Sequence, residues 1–521
     1  MTHTFSSSNR FNLSRRDALA LGGAAFAASV AGTAFASTPK RGGHARIGVR
    51  GGSTSDTLDP QTFGDVFMRT VGYGYFNTLT GISGDGTLVP ELAESWEGSK
   101  AATVWTFRLR KGVTFHNGKS FTTEDAIASI QHHRSEDSKS GMKSQLKGIT
   151  DIRADDAHTM TVTLSAGNAD FPYVLTDYRM MMMPAVDGVA DWASGIGTGG
   201  YKLDAFEPGV RAALSRNQDY WRDSAAFFDS GEVLRIPDVA ARQNALASGD
   251  LDYIDQVDLK TVALMKKRPG VRVLETKGAL HYVYGMNTQI DPYTAVDVRQ
   301  VLKYAVDREA LLKKVLQGYG SIGNDHPIAP THQYLATDIE QTSYDPDKAK
   351  FHLKKAGMDS LSVDLSVSDF LYTGAVDGAV LYSEAAKKGG IAINVKQEAS
   401  DGYFSNVWMK KPFVASYWGA RPTEDLILTA AYSESSSWNE TQFKHEKFNT
   451  LLTAARAELN TDTRRDMYRD IQIILRDEGG TVIPLFASNV FAVSDKIGTP
   501  DSMSGAWELD GGRSLERWWF N

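Results

Sequence analysis

The first 36 residues constrain this chain more than any other segment. Ser14-Arg15-Arg16 leads into the uncharged run from Ala18 to Ala31, and Ala34-Phe35-Ala36 follows. A basic start, a short apolar stretch and a small-x-small end describe an export signal, with cleavage expected after Ala36. The apolar run is shorter than the roughly 20 residues needed to cross a bilayer core. The arginine pair with Leu19 resembles a twin-arginine signal. Ala18, where that signal usually carries a bulky apolar residue, leaves Sec export open. The mature chain of about 485 residues is therefore expected to work outside the cytoplasm.

Export makes the absence of cysteine informative. None of the 521 residues is Cys, so stability must come from large cores rather than disulfides. Thiolate metal sites, iron–sulfur clusters and cysteine nucleophiles are excluded. At about 150 residues per domain, two or three domains are expected. The leader holds Arg10, Arg15, Arg16 and Asp17, so the whole-chain charge of −7 becomes about −9 after cleavage. Net acidity without a basic block argues against nucleic acid and anionic membrane partners. Ten Trp, 20 Tyr and 23 Phe suit a cleft that holds a ligand without covalent chemistry.

Hydrophobic periodicity divides the chain. Ala45 to Val49 reads as a short strand. Trp105, Phe107 and Leu109 alternate with Thr106, Arg108 and Arg110, and Met160, Val162 and Leu164 with neighbouring threonines, as half-buried strands do. His116-Asn117-Gly118-Lys119 reads as a tight turn, and Thr122-Thr123-Glu124-Asp125 as a helix start. From Val296 to Val315 the spacing is helical, closing at Gly318. Two further helices, around Phe448–Leu459 and Met467–Leu475, are separated by a break and cap at Asn460-Thr461-Asp462.

Catalytic and cofactor patterns fail their context. Gly195-Ile196-Gly197-Thr198-Gly199-Gly200 has the letters of a dinucleotide loop, but a strand-like Tyr201-Lys202-Leu203 follows where a helix is required. Gly112 is one residue too far from Gly118-Lys119-Ser120 for a phosphate loop, and His445-Glu446 lacks the second His of a zinc helix. His132-His133 is expected to be an exposed pair, and Met180 to Met183 a buried run rather than a copper site. No catalytic residue, metal site or cofactor is assigned. A secreted hydrolase is the alternative from another class, and no nucleophile motif supports it.

Segments spread over the mature chain carry a resemblance. They are Leu58-Asp59-Pro60-Gln61, Phe76-Asn77-Thr78-Leu79, Val89-Pro90-Glu91-Leu92-Ala93-Glu94-Ser95-Trp96 and Trp105 through Gly118. Gly197-Thr198-Gly199-Gly200-Tyr201, Asp297-Val298-Arg299 through Asp307-Arg308, and Ile483-Pro484-Leu485-Phe486 complete the series. Together, from about residue 42 to the end, they resemble bacterial solute-binding family 5, which serves peptide, nickel and opine ABC importers. The resemblance implies an α/β fold of two hinged lobes, a Venus flytrap, with an inserted accessory domain. Lobe I would comprise 37–80, 196–285 and 485–521, the accessory domain 81–195, and lobe II 286–484. It further implies a monomer in the Gram-negative periplasm that delivers a small-molecule or peptide ligand to permease subunits. A nickel- or metal-chelate-binding role is the runner-up within the family.

In peptide-binding members, a carboxylate in a Trp-containing loop captures the ligand ammonium. That loop here is Tyr417-Trp418-Gly419-Ala420-Arg421-Pro422-Thr423-Glu424-Asp425, and Arg421 stands in the acid's place. A cation there prefers a carboxylate, phosphate or sulfate, so a peptide-like or anionic amino-acid-derived solute is expected. The alternative is that Arg421 faces solvent or pairs with Glu424 or Asp425. By the same resemblance, Phe63, Asp65 and Val66 would lie along the ligand, Tyr403 and Trp408 would wall the pocket with Trp418 and Gly419, and Phe486 and Asn489 would close it.

Overall fold

Three sheets organise residues 39–521, which the computed structural model describes; the expected export signal lies outside the described residues. The first sheet has seven strands in the order 201–207, 211–216, 230–235, 44–49, 253–254, 489–494, 271–276. Its central strand, His44–Val49, runs parallel to both neighbours and buries Ala45, Ile47 and Val49 completely. The apolar helix Val66–Tyr75 packs in this core. The second sheet aligns 320–322, 485–487, 281–286, 413–418, 361–367 and 391–397, with 481–482 pairing onto 281–286. A four-stranded antiparallel sheet, 93–98, 104–109, 159–164 and 149–156, has its own core. The mixed α/β reading is thus observed, with several sheets and helices packed on them.

The alternating segments form the expected strands, with Phe107, Met160 and Val162 fully buried. Met180 to Met183 are all buried, and they divide the work: Met181 and Met183 join the first core, Met180 and Met182 the accessory core. His133 is not exposed as expected. It is fully buried with Nδ1 2.7 Å from Ser140 Oγ, while His132 meets Asp59 at 2.8 Å. The single helical run expected over 296–315 is two helices, Val296–Tyr304 and Arg308–Val315. Asp307 interrupts it by accepting from Ala310 N at 2.9 Å, because a capping carboxylate competes with helix continuation.

By backbone pairing, strands 281–286 and 485–487 both belong to the second sheet. The chain therefore changes sheet at 277–280 and at Ser488, so 281–285 and 485–487 stand with the second sheet rather than with lobe I. Strand alternation is the same on either side of such a crossing, so local sequence does not mark it.

Two motif clusters have structural work. Arg299, Gln300 and Lys303 reach the final carbonyls of helix Thr461–Glu478: Arg299 Nη2 donates to Glu478 O at 2.6 Å, Gln300 Nε2 to Asp477 O at 2.5 Å, and Lys303 Nζ to Leu475 O at 2.9 Å. Cations and donors at a helix C-terminus satisfy orphan carbonyls. The glycine run 195–200 is an irregular bend packed against the end of helix Val66–Tyr75. A Cβ on Gly197 would lie 1.9 Å from Tyr75 O, and one on Gly199 2.4 Å from Tyr75 C. His116 bridges this bend: Nδ1 accepts from Gly197 N at 3.2 Å and Nε2 donates to Gly199 O at 3.0 Å. Only the neutral Nε2–H tautomer satisfies both.

Burial pushes the His116 pKa down to about 4, with the Gly199 hydrogen bond opposing it. An unfolded imidazole takes up its proton near pH 6.5, before the folded one does. This contribution is therefore present above pH 6.5 and disappears as pH falls through about 4. His116→Gln is expected to flatten the dependence of unfolding free energy on pH between 6.5 and 4, by about 3 kcal/mol across that window. Urea unfolding at a series of pH values reads it, and parallel curves for the two chains would refute this account of His116.

Candidate functional site

The Trp loop leaves the second sheet at the end of strand Phe413–Trp418 and enters helix Glu424–Ala431, whose N-cap is Thr423. Its base is fixed by one buried acid. Glu440 accepts from Trp408 Nε1 at 2.6 Å, Trp418 Nε1 at 2.7 Å and Ser416 Oγ at 2.7 Å. Burial raises the Glu440 pKa, and its three donors pull it back. The loop crest is held by His332, whose Nδ1 accepts from Ala329 N at 2.8 Å while Nε2 donates to Arg421 O at 2.8 Å.

Three cavities of about 40, 180 and 360 Å³ meet at this crest, and Ala420, Arg421 and Pro422 line every one of them. Facing the loop are Tyr73, Thr176 and Asp177, together with the C-terminal segment Ser504 to Trp507. The facing wall is cross-braced. The Arg69 guanidinium lies 4.2 Å from the Trp507 ring and 4.6 Å from that of Tyr178, and pairs with Glu508 at 2.8 Å.

Among the described residues, the Arg421 guanidinium donates to carbonyls of its own loop, Gly419 O at 3.3 Å and Ala420 O at 3.0 Å. Neither loop acid neutralises it. Glu424 is buried and accepts from Tyr334 N at 2.6 Å, and Asp425 pairs with Arg456 at 3.0 Å. Across the cavity, Asp177 is engaged by Arg179 at 3.0 Å. Burial lowers the Arg421 pKa; Asp177 opposes this and Arg179 adds to it. A half-buried guanidinium with no carboxylate partner among the described residues is suited to an incoming anion.

The other expected positions are distributed differently. Phe63 and Val66 are buried in the first core. Asp65 caps helix Val66–Tyr75, accepting from Phe67 N at 2.9 Å, Met68 N at 3.1 Å and Gly52 N at 2.7 Å. Tyr403 is buried and donates to Ala415 O at 2.8 Å. Phe486 packs in the core beside His281, ring centroids 5.4 Å apart. Asn489 Nδ2 donates to Gly505 O at 3.1 Å, steadying the C-terminal wall. Trp408, Trp418 and Gly419 lie with Arg421 in or under the loop. Sequence reasoning missed Glu440, His332, Asp177 and Trp507. Each comes from a distant segment, and no spacing announces them.

Comparison with known proteins agrees with this architecture. Heme-binding protein A of Haemophilus influenzae is 26% identical over 76% of this chain and 78% of its own length. The dipeptide-binding protein of Escherichia coli K12 is 26% identical over 77% and 81%. HbpA2 of Haemophilus parasuis superposes with a TM-score of 0.79 at 20% identity, covering 90% of this chain and 99% of that one. AgaA of A. tumefaciens R10, solved with agropinic acid, superposes at 0.72 with 25% identity, covering 92% and 99%. The family model for bacterial extracellular solute-binding proteins, family 5, matches residues 87–440. The chain belongs to that family.

Proposed function

We propose that this protein is the periplasmic solute-binding component of an ABC importer and that it captures a solute bearing a carboxylate or comparable anion. The observation that carries the reading is Arg421: one guanidinium, without an ion pair among the described residues, in the wall of all three cavities. Two lobes would close on the solute, the first built on the sheet around His44–Val49 with the accessory sheet attached, the second on the sheet around His281–Met286. Such a motion is driven by contacts made only in the closed state. No chemistry on the solute is needed, and a permease receives it unchanged. A 25% identical neighbour that holds agropinic acid, itself an acid, supports an anionic ligand end.

Arg421→Ala is expected to weaken binding of an acidic solute by about 100-fold, the scale of a lost charge-assisted pair. The melting temperature of the unliganded protein should barely move, since no folded-state ion pair is lost. Thermal shift with agropinic acid, and with free-acid and C-terminally amidated forms of one dipeptide, reads the preference directly. Equal stabilisation by acid and amide, or unchanged affinity in Arg421→Ala, would overturn the anion reading.

The loop must also be held in place, and Glu440 does this. In Glu440→Gln the amide NH₂ would oppose one of the indole or hydroxyl donors, leaving it buried and unpaired. A loss of about 2–4 kcal/mol is expected, with a red shift of tryptophan emission as Trp408 or Trp418 loosens. Denaturant unfolding followed by fluorescence measures both, and a variant as stable as the parent would show the cage to be dispensable.

A further inference from the structure

Away from the two chain crossings, the loop after the accessory sheet touches the second lobe. Ala169 N donates to Arg456 O at 2.6 Å. Beside it, Asp170 and Arg464 approach to 2.7 Å, with side chains only 4% and 6% exposed. Among side-chain ion pairs of the described residues, this one alone links 39–280 or 488–521 to 281–487. The approach is close because Gly167 has no side chain: a Cβ there would lie 2.7 Å from Ala457 Cβ.

The two partners are anchored unequally. Arg464 is held by its own lobe, with Nε donating to Ala455 O at 2.9 Å and the rings of Tyr334 and Tyr468 each 5.3 Å from its guanidinium. Asp170 has Arg464 as its one ionic partner among the described residues. Were the lobes to part, a buried carboxylate and a buried guanidinium would separate into water, exchanging a short desolvated attraction for hydration.

We infer that Asp170 and Arg464 form a latch, an ion pair between the two lobes that favours the closed arrangement whether or not solute is bound. The inference rests on the two-lobed reading above but not on the identity of the solute. A solute meeting a partly closed protein has less closure to drive, so the latch sets how much of the binding contacts appears as affinity.

The natural absence of cysteine makes the test direct. Lys100→Cys and Ala454→Cys place one exposed thiol on each side of the contact for dye labelling and single-molecule energy transfer, without added solute. Asp170→Asn in that background is expected to lower the closed-to-open ratio about tenfold. Arg464→Lys, which keeps the charge but loses the planar fork, should give an intermediate shift, and it serves as the reading if circular dichroism shows Asp170→Asn to be misfolded. Unchanged populations in the variants, or one fixed distance in every chain, would overturn the latch and make the pair a permanent domain contact. Neither result bears on Arg421, whose test uses solute.

Discussion

A closed ring of four charges, three of them buried, holds together the parts on which the site depends. Glu91, Arg222, Glu516 and Arg513 alternate in sign. Arg222 lies 2.5 Å from Glu91 and 3.0 Å from Glu516, and Arg513 lies 2.7 Å from each acid. Single buried charges cost several kcal/mol, so such a set persists only when every member is paired. Burial acts against the Glu516 carboxylate, yet Arg513 and Arg222 bring its pKa down to about 2. The ring ties the entry to the accessory sheet, the end of the first sheet's hairpin and the C-terminal segment into one body. The wall carrying Ser504 and Trp507 is therefore fixed in space before any solute arrives.

The opposite wall is fixed by different means. Glu440 under the tryptophans and His332 behind the crest determine the shape of residues 418–422, while Glu424 and Asp425 are committed to Tyr334 and Arg456. Because the acids nearest in sequence are committed elsewhere, neither of them neutralises Arg421. Preorganised walls with one unmatched charge recognise ligands at low ordering cost. The buried pair Asp170–Arg464 joins the two lobes at a second place, away from these walls.

Much of the fold was legible because it is local. Alternation in 104–109 and 159–164 and the cap at Asn460 need only neighbouring residues to act, and each is observed. The glycine run 195–200 was separable from a cofactor loop by the strand after it. Asp307 showed the limit: a helical stripe continues through it, but a local cap ended the helix. Among expected site residues, Arg421 and the Trp loop were read from a residue that breaks a pattern. Phe63, Asp65 and Tyr403 were read from alignment alone, and the fold uses them for core packing and capping. An aspartate's letter does not reveal whether backbone N–H groups will occupy its oxygens.

By itself, the sequence determined the cysteine-free composition of the chain, its α/β elements and the family to which it belongs. These follow from composition, periodicity and motif order, which act over a few residues or accumulate along the whole length. The tertiary structure alone decided where the chain changes sheet, which acids neutralise which cations, and that Arg421 is left without one among the described residues. Those outcomes depend on contacts between segments such as 177 and 421, 332 and 421, or 170 and 464. Electrostatic pairing in a low-dielectric interior is settled by distance in space, which sequence separation does not encode.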